Sequence, residues 1–345
     1  MENSKYKRID HFIIQLETLR LVSLFIKDLW FDKVPVRIYQ PKAPSASQRR
    51  GVLFFHGGGW VFGSLGKIST RNISSYFLLL HLSVCPRYHL APEHKYPAAY
   101  EDCLSASQHF LQHLQHYGVD PARVAVCGDS AGGNLAAAVS QTLAGRSDLP
   151  RLRAQILIYP GLQALDFNLP SYQQNRGVPL LFRERAVYYS LQYVQGDTSN
   201  LEEVLEGSHI PPDIKLKYQK WVSPDNIPEE FKVRGYQPHK PSEFKPAVFE
   251  KVKRLREPTL CPLLAEDTII QQLPESFILT CEYDVLRDDG LLYKKRLEDN
   301  GVPVTWYHLE DGFHGIINSF NSGWFRSNGR LDAFKGDKNQ KPQKP

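Results

Sequence analysis

The stretch VDPARVAVCGDSAGGNLAAAVSQTLA, residues 119–144, decides the fold. It reads as a turn, a short apolar strand, a sharp turn at Gly128-Asp129-Ser130-Ala131-Gly132, and an Ala-rich helix. A G-x-S-x-G turn between strand and helix lets a serine project its hydroxyl from a tight corner. The glycines two residues before and two after Ser130 relieve the crowding of that corner. The helix that follows aims its N-terminus at the same point, where free N–H groups favour developing negative charge. Ser130 is therefore the candidate nucleophile.

Upstream, the apolar run GVLFF (51–55) is a buried strand that ends in His56-Gly57-Gly58-Gly59-Trp60. Residues without side chains let backbone N–H groups approach a substrate oxygen, as an oxyanion hole requires. The N–H groups of Gly57 and Gly58, joined by that of Ala131, are the candidate donors. A dinucleotide site is not matched: neither G-x-G-x-x-G nor an acidic residue about 20 positions on is present.

A serine hydroxyl needs a base, and the base needs an orienting acid. Downstream, Asp284 closes the apolar strand SFILTCEYD (276–284), and His314 lies in the loop after VTWYHL, within Asp311-Gly312-Phe313-His314-Gly315. The order serine, acid, histidine is that of one hydrolase architecture. The rival acids Asp288 and Asp289 fall at the start of a helix and are expected to cap it. The rival base His308 lies inside a strand and is expected to be packed or solvated.

The remaining chain fits the same plan. VPVRIYQPK (34–42) and AQILIYPG (154–161) read as strands, and YPAAYEDCLSASQHFLQHLQHYG (96–118) and GLLYKKRLEDNG (290–301) as helices. Strands alternating with helices predict a mostly parallel sheet covered on both faces, in one α/β domain. Residues 162–262 break the rhythm, with many prolines and no strand pattern, and are expected to form a cap rather than a second domain. In residues 11–31, Phe12, Leu16, Leu19, Val22, Phe25, Ile26 and Leu29 fall at helical spacing, so a further cap element is expected over about 10–30. That helix would pack on the protein's own body or, alternatively, make peripheral contact with lipid. Glu17, Arg20, Lys27 and Asp28 interrupt it too often for a spanning helix, and no cleavable signal is evident. Residues 333–345 are expected to be disordered.

Composition bounds the function. The 345 residues carry 42 Lys+Arg and 37 Asp+Glu, a net charge of +5, with 42% hydrophobic residues. That excludes wholesale disorder, and five cysteines exclude a small disulfide scaffold. Of those cysteines, Cys127 is expected to be buried and unpaired. The one dense basic run, Lys251 to Arg256, reads as a solvated helix face rather than a nucleic-acid patch. His109, His113 and His116 share a helix face without a carboxylate or cysteine at ligand spacing, so no metal and no cofactor is expected. Asn72-Ile73-Ser74 is a glycosylation acceptor, meaningful only in the secretory pathway.

HGGGW at 56–60, YHLAPEHKYPAAYED at 88–102, GDSAGGN at 128–134, YDVLRDDG at 283–290 and DGFHG at 311–315 occur together and in order. With them the chain resembles the hormone-sensitive-lipase branch of the α/β hydrolases. Within it the chain is similar to the arylacetamide deacetylase-like proteins, in their like-4 subgroup. The resemblance spans roughly residues 10–320. It implies an α/β-hydrolase fold and a hydrolase of small acyl, aryl or lipid esters or amides. It implies Ser130, Asp284 and His314 as triad, the HGGG glycines as oxyanion hole, and the cap over an apolar acyl pocket. It also implies a place at the endoplasmic-reticulum membrane, on the lumenal face, although no anchor is legible here. Residues 67–87 depart from the family: Pro86 sits where a strand is expected and would remove a ladder donor. His89 stands where the family has an arginine, so a cation that holds the neighbouring loop is expected to be lost. The rival function is a non-catalytic relative of the fold that binds a small apolar ligand or a partner. A serine peptidase on the same fold has no positive feature in the sequence.

Overall fold

The computed structural model describes residues 24–64, 81–240 and 242–319. Among the described residues eight strands form one sheet: β1 (Leu24–Phe31), β2 (Val34–Pro41), β3 (Arg49–Phe55), β4 (Leu82–Pro86), β5 (Val119–Asp129), β6 (Ala154–Ile158), β7 (Glu275–Tyr283) and β8 (Val304–Phe313). Their order is β1-β2-β4-β3-β5-β6-β7-β8, antiparallel at β1/β2 and β2/β4 and parallel elsewhere. The helices are α1 (Ala98–Gln112), α2 (Ala131–Ala144), α3 (Pro170–Gln174), α4 (Arg183–Val194), α5 (Leu201–Leu205), α6 (Pro212–Tyr218), α7 (Pro246–Val252), α8 (Asp267–Ile270), α9 (Arg287–Asp299) and α10 (Ile316–Ser319).

The central strands are apolar on both faces because both faces are covered. In β3, Leu53 and Phe55 join the larger core while Val52 and Phe54 join a smaller core on the opposite face. The same alternation sends Val124 and Val126 of β5 to one side and Cys127 to the other. Cys127 is buried and free, as are the other four cysteines.

Three expectations are corrected. Residues 24–31 do not continue a helix but form β1, paired along its full length with β2. The tight turn at Asp32-Lys33, with Asp32 at φ 54°, brings the chain back onto itself. Asp28 then lies opposite Arg37, and the carboxylate receives both Nε (2.6 Å) and Nη2 (2.8 Å) of the guanidinium. An open sheet edge with a matching charge outweighs a helical period carried by β-branched and aromatic residues. The part of the expected helix before residue 24 lies outside the described residues. So do the tail at 333–345, the glycosylation acceptor at 72–74 and most of the divergent 67–87 stretch.

Pro86 does not prevent a strand. It is the last residue of β4, beyond the three pairs that β4 makes with β3, and faces Val36 on β2. Finally, the position of the missing cation is still tied down: the His89 backbone N–H and Nδ1 both meet Asp102 Oδ2, at 2.8 and 2.7 Å.

Between β6 and β7 the described residues form helices and 3₁₀ turns and no strand. This insertion lies against the HGGGW loop. Trp60 stacks on Tyr193 of α4 at 4.7 Å, and a Cβ on Gly59 would lie 2.5 Å from the ring of Tyr189. Among the described residues no helix is long and apolar enough to cross a membrane.

Candidate active site

Ser130 sits at the junction of β5 and α2 with φ 56° and ψ −121°, a strained backbone for a residue with a side chain. The neighbouring glycines explain how the corner closes. A Cβ on Gly128 would lie 2.1 Å from the Gly132 carbonyl oxygen, and one on Gly132 would lie 2.0 Å from that of Phe55. The Ser130 N–H donates to the Ile158 carbonyl at 2.9 Å, which ties the corner to β6.

His314 Nε2 lies 2.8 Å from Ser130 Oγ, and His314 Nδ1 lies 2.8 Å from Asp284 Oδ2. The three residues are 130, 284 and 314 in sequence and come together at the carboxyl ends of β5, β7 and β8. Asp284 is fully buried, and its other oxygen accepts the Leu286 N–H at 2.9 Å. A carboxylate on Nδ1 leaves Nε2 as the acceptor for the serine O–H. Tyr159 packs its ring on the imidazole, 4.8 Å between centroids.

The alpha/beta hydrolase fold family matches residues 52–207 and 229–318. The chain belongs to this family. It is 51% identical over 305 residues to human arylacetamide deacetylase-like 4, covering 87% of this chain and 74% of that one. It is 41% identical over 329 residues to mouse arylacetamide deacetylase, covering 90% and 81%. A fungal esterase of Rhizomucor miehei superposes with a TM-score of 0.61 at 26% identity, covering 88% of this chain and 78% of that one. The chain is accordingly an alpha/beta hydrolase of the carboxylesterase and deacetylase type, in the arylacetamide deacetylase-like branch.

Of the three expected backbone donors, two have no acceptor among the described residues. Ala131 is the first residue of α2, so its N–H has no intrahelical acceptor. The Gly58 N–H has no acceptor among the described residues, while φ 123° and a Cβ position only 2.1 Å from the Phe62 carbonyl oxygen restrict this place to glycine. Gly57 departs from the expectation. Its N–H donates to Asp129 Oδ1 at 2.9 Å, because the carboxylate of the residue before Ser130 packs directly on this glycine.

Beneath the loop, the Tyr88 hydroxyl donates to the His56 carbonyl at 2.6 Å, and the two rings stack at 4.3 Å. Burial lowers the pKa of His56, despite the Gly57 carbonyl and Asp129 beside it. A neutral imidazole therefore packs under the glycines.

Asp288 and Asp289 do not cap α9, whose N-cap is Leu286. They are wholly buried and face the insertion. Asp289 Oδ2 accepts the N–H groups of Leu162 (2.8 Å) and Gln163 (3.3 Å), and Oδ1 accepts from Gln163 Nε2 (3.0 Å) and the Tyr172 hydroxyl (3.3 Å). Burial pushes the Asp289 carboxyl up to about 7, against four donors that favour its anion. Asp288 Oδ2 accepts the Ser171 N–H at 2.6 Å. Arg287, also buried, bonds Asp288 Oδ1, Glu282 Oε1 and the Phe231 carbonyl. Asn175 Nδ2 completes the clamp on the carbonyls of Glu282 (3.1 Å) and Asp284 (3.0 Å). Sequence reasoning missed this set. The acidic pair after the Asp284 strand was its one visible signal, and a local helix-capping role accounted for it.

His308 is packed as expected, with Nδ1 on Thr280 Oγ1 (2.9 Å) and Nε2 on Glu282 Oε2 (3.2 Å). His109 meets Asp32 at 3.3 Å and stacks on Phe31 and His113. Among the described residues no group of three His, Cys, Asp or Glu side chains is placed to hold a metal ion.

Proposed function

We propose that the chain hydrolyses carboxylic esters or amides of small acyl, aryl or lipid groups by double acyl transfer. Ser130 Oγ attacks the carbonyl carbon while His314 Nε2 takes its proton, and Asp284 holds the imidazole in the required tautomer. The oxyanion of the tetrahedral intermediate accepts from the N–H groups of Gly58 and Ala131. Gly57 is left out of that role because its N–H is engaged by Asp129. The imidazolium then protonates the departing alkoxide or amine, leaving an acyl-Ser130 ester. Water attacks that ester with His314 again as base, releasing the carboxylic acid and restoring the serine.

The observation that carries this reading is the continuous chain Ser130–His314–Asp284, with both contacts at 2.8 Å, beside the N-terminus of α2. The insertion over residues 162–262 would be the cap. Apolar side chains support an apolar acyl or aryl group. Leu180 packs 3.5 Å from the Cβ position of Gly315, next to His314, and Phe62 meets Tyr189 edge-on at 6.0 Å. Leu180 and Phe62 are both exposed.

The test is a fluorophosphonate probe on the full chain. Labelling that vanishes in Ser130→Ala is the expected result, together with loss of burst release from a chromogenic short-chain ester. A folded wild-type chain that stays unlabelled would turn the reading to a non-catalytic binder of an apolar ligand.

A further inference from the structure

The insertion carries a second concave site that shares no residue with the Ser130 centre. It is a cleft of about 410 Å3 whose lining includes Asn168, Gln173, Arg176, Arg183, His239 and Lys240 and, among the described residues, no carboxylate. Arg183 is its most telling group. The side chain is buried, 8% exposed, yet its hydrogen bonds reach only uncharged acceptors. Nε donates to the Phe167 carbonyl (2.8 Å), and Nη2 to the Leu205 carbonyl (2.8 Å) and Asn168 Oδ1 (2.5 Å). Nη1 has no acceptor among the described residues. A buried cation without a hydrogen-bonded counter-ion is costly. Burial, and then the positive charge of Arg176, both act against its protonated form.

The nearby acids are engaged elsewhere or only distant. Glu184 bonds Arg176 Nε at 2.7 Å, and Glu206 lies 3.9 Å from His239. The Asp166 carboxyl is itself pushed up by burial, which weakens it as a counter-ion. Lys240, on the exposed rim, has no ion-pair partner among the described residues.

We propose that this cleft binds a phosphoryl group, held by Arg183 from its wall and by Arg176 and Lys240 from its rim. Two planar guanidinium groups and an ammonium suit a tetrahedral oxyanion with several acceptor oxygens. The volume exceeds that of inorganic phosphate, so a phosphate monoester fits the space. The place in the fold adds consequence. Gln173 and Arg176 line the cleft on either side of Asn175, the residue whose amide holds the carbonyls of Glu282 and Asp284.

The experiment is a calorimetric titration of the full chain with inorganic phosphate, replacing sodium chloride at constant ionic strength. Saturable binding to one site, with a midpoint on the order of 1 mM, is expected. Arg183 also ties Phe167 and Leu205, so the first variant tested is Arg176→Gln with Lys240→Gln, both at the rim. That double variant should keep the wild-type melting temperature and bind phosphate about tenfold more weakly. Absence of saturable binding in the wild type, or equal affinity in the double variant, overturns the proposal. Flotation with phosphatidic acid against phosphatidylcholine vesicles identifies the source. Capture by phosphatidic acid alone, lost in the double variant, supports a lipid headgroup. Phosphate binding without capture supports a soluble phosphate ester. None of these readouts uses ester turnover, so they stand or fall apart from the role of Ser130.

Discussion

Two histidines of the β8 segment each bridge a hydroxyl and a carboxylate. His314 joins Ser130 to Asp284 with contacts of 2.8 and 2.8 Å, and His308 joins Thr280 to Glu282 with contacts of 2.9 and 3.2 Å. As connectivity the two are nearly the same, and their surroundings separate them. Ser130 sits on a strained corner at the N-terminus of α2, next to the N–H groups of Gly58 and Ala131, which have no acceptor among the described residues. Thr280 is buried within β7, and its hydroxyl oxygen already accepts the Trp306 indole N–H at 2.9 Å. Glu282 is shared with Arg234 (2.8 Å) and Arg287 (3.0 Å). A hydroxyl–imidazole–carboxylate chain becomes chemistry only where a reacting atom can reach the hydroxyl and donors await the charge.

The largest expected effect breaks this comparison directly. His314→Ala should lower kcat for a short-chain ester by about 10⁵-fold, whereas His308→Ala should leave it within about threefold. Similar losses from both would erase the distinction. One step smaller, Asp284→Asn should lower kcat by about 10⁴-fold, because the amide favours the wrong imidazole tautomer while preserving the shape. Glu282→Gln, the matching change in the other chain, should leave kcat near wild type. Steady-state kinetics with active-site titration settles both pairs.

The difference between the two histidines is largely legible in the sequence. The strands at 49–55, 119–129, 154–158 and 275–283 follow from apolar runs. Ser130, Asp284 and His314 follow from a strand–turn–helix corner and from chain order. What stayed hidden depends on long-range contact. Whether residues 24–31 are helix or strand is undecided by period alone, and the free edge of β2 decides it. The Gly57 N–H turns to Asp129 across 72 positions, a contact that no local spacing encodes. Asp288 and Asp289 look like helix-capping residues locally, but their partners lie 117 to 127 positions away in the insertion.

That buried pair sharpens the comparison in terms of stability. Asp289→Ala would leave the N–H groups of Leu162 and Gln163, with the Gln163 amide, without their acceptor in a buried site. The expected loss is about 3 kcal/mol in denaturant unfolding, since each buried donor left unpaired costs about 1–3 kcal/mol. The same change on the exposed last turn of α9, Asp299→Ala, removes only an i,i+4 pair with Lys295 and should cost well under 1 kcal/mol. Equal losses would show that Asp289 does not anchor the insertion.

The smallest effect is a pH dependence on the His308 side. Burial works to raise the Glu282 pKa, but the hydrogen bond from His308 and the charges of Arg287 and Arg234 outweigh it and hold it below the ordinary value of 4.5. The folded chain therefore binds fewer protons at this site than the unfolded chain as pH falls below that value. The stabilisation is complete above about pH 4.5 and is lost as pH falls through the folded pKa. Glu282→Gln should thus be less stable than wild type at pH 7, by about 1 kcal/mol after solvent screening. The two stability curves should converge as pH falls through the folded pKa, where the wild-type carboxylate takes up its proton. Parallel curves across that range would mean that Glu282 contributes by shape alone. The His308 chain would then be packing, with no electrostatic part in setting the loop that carries Asp284.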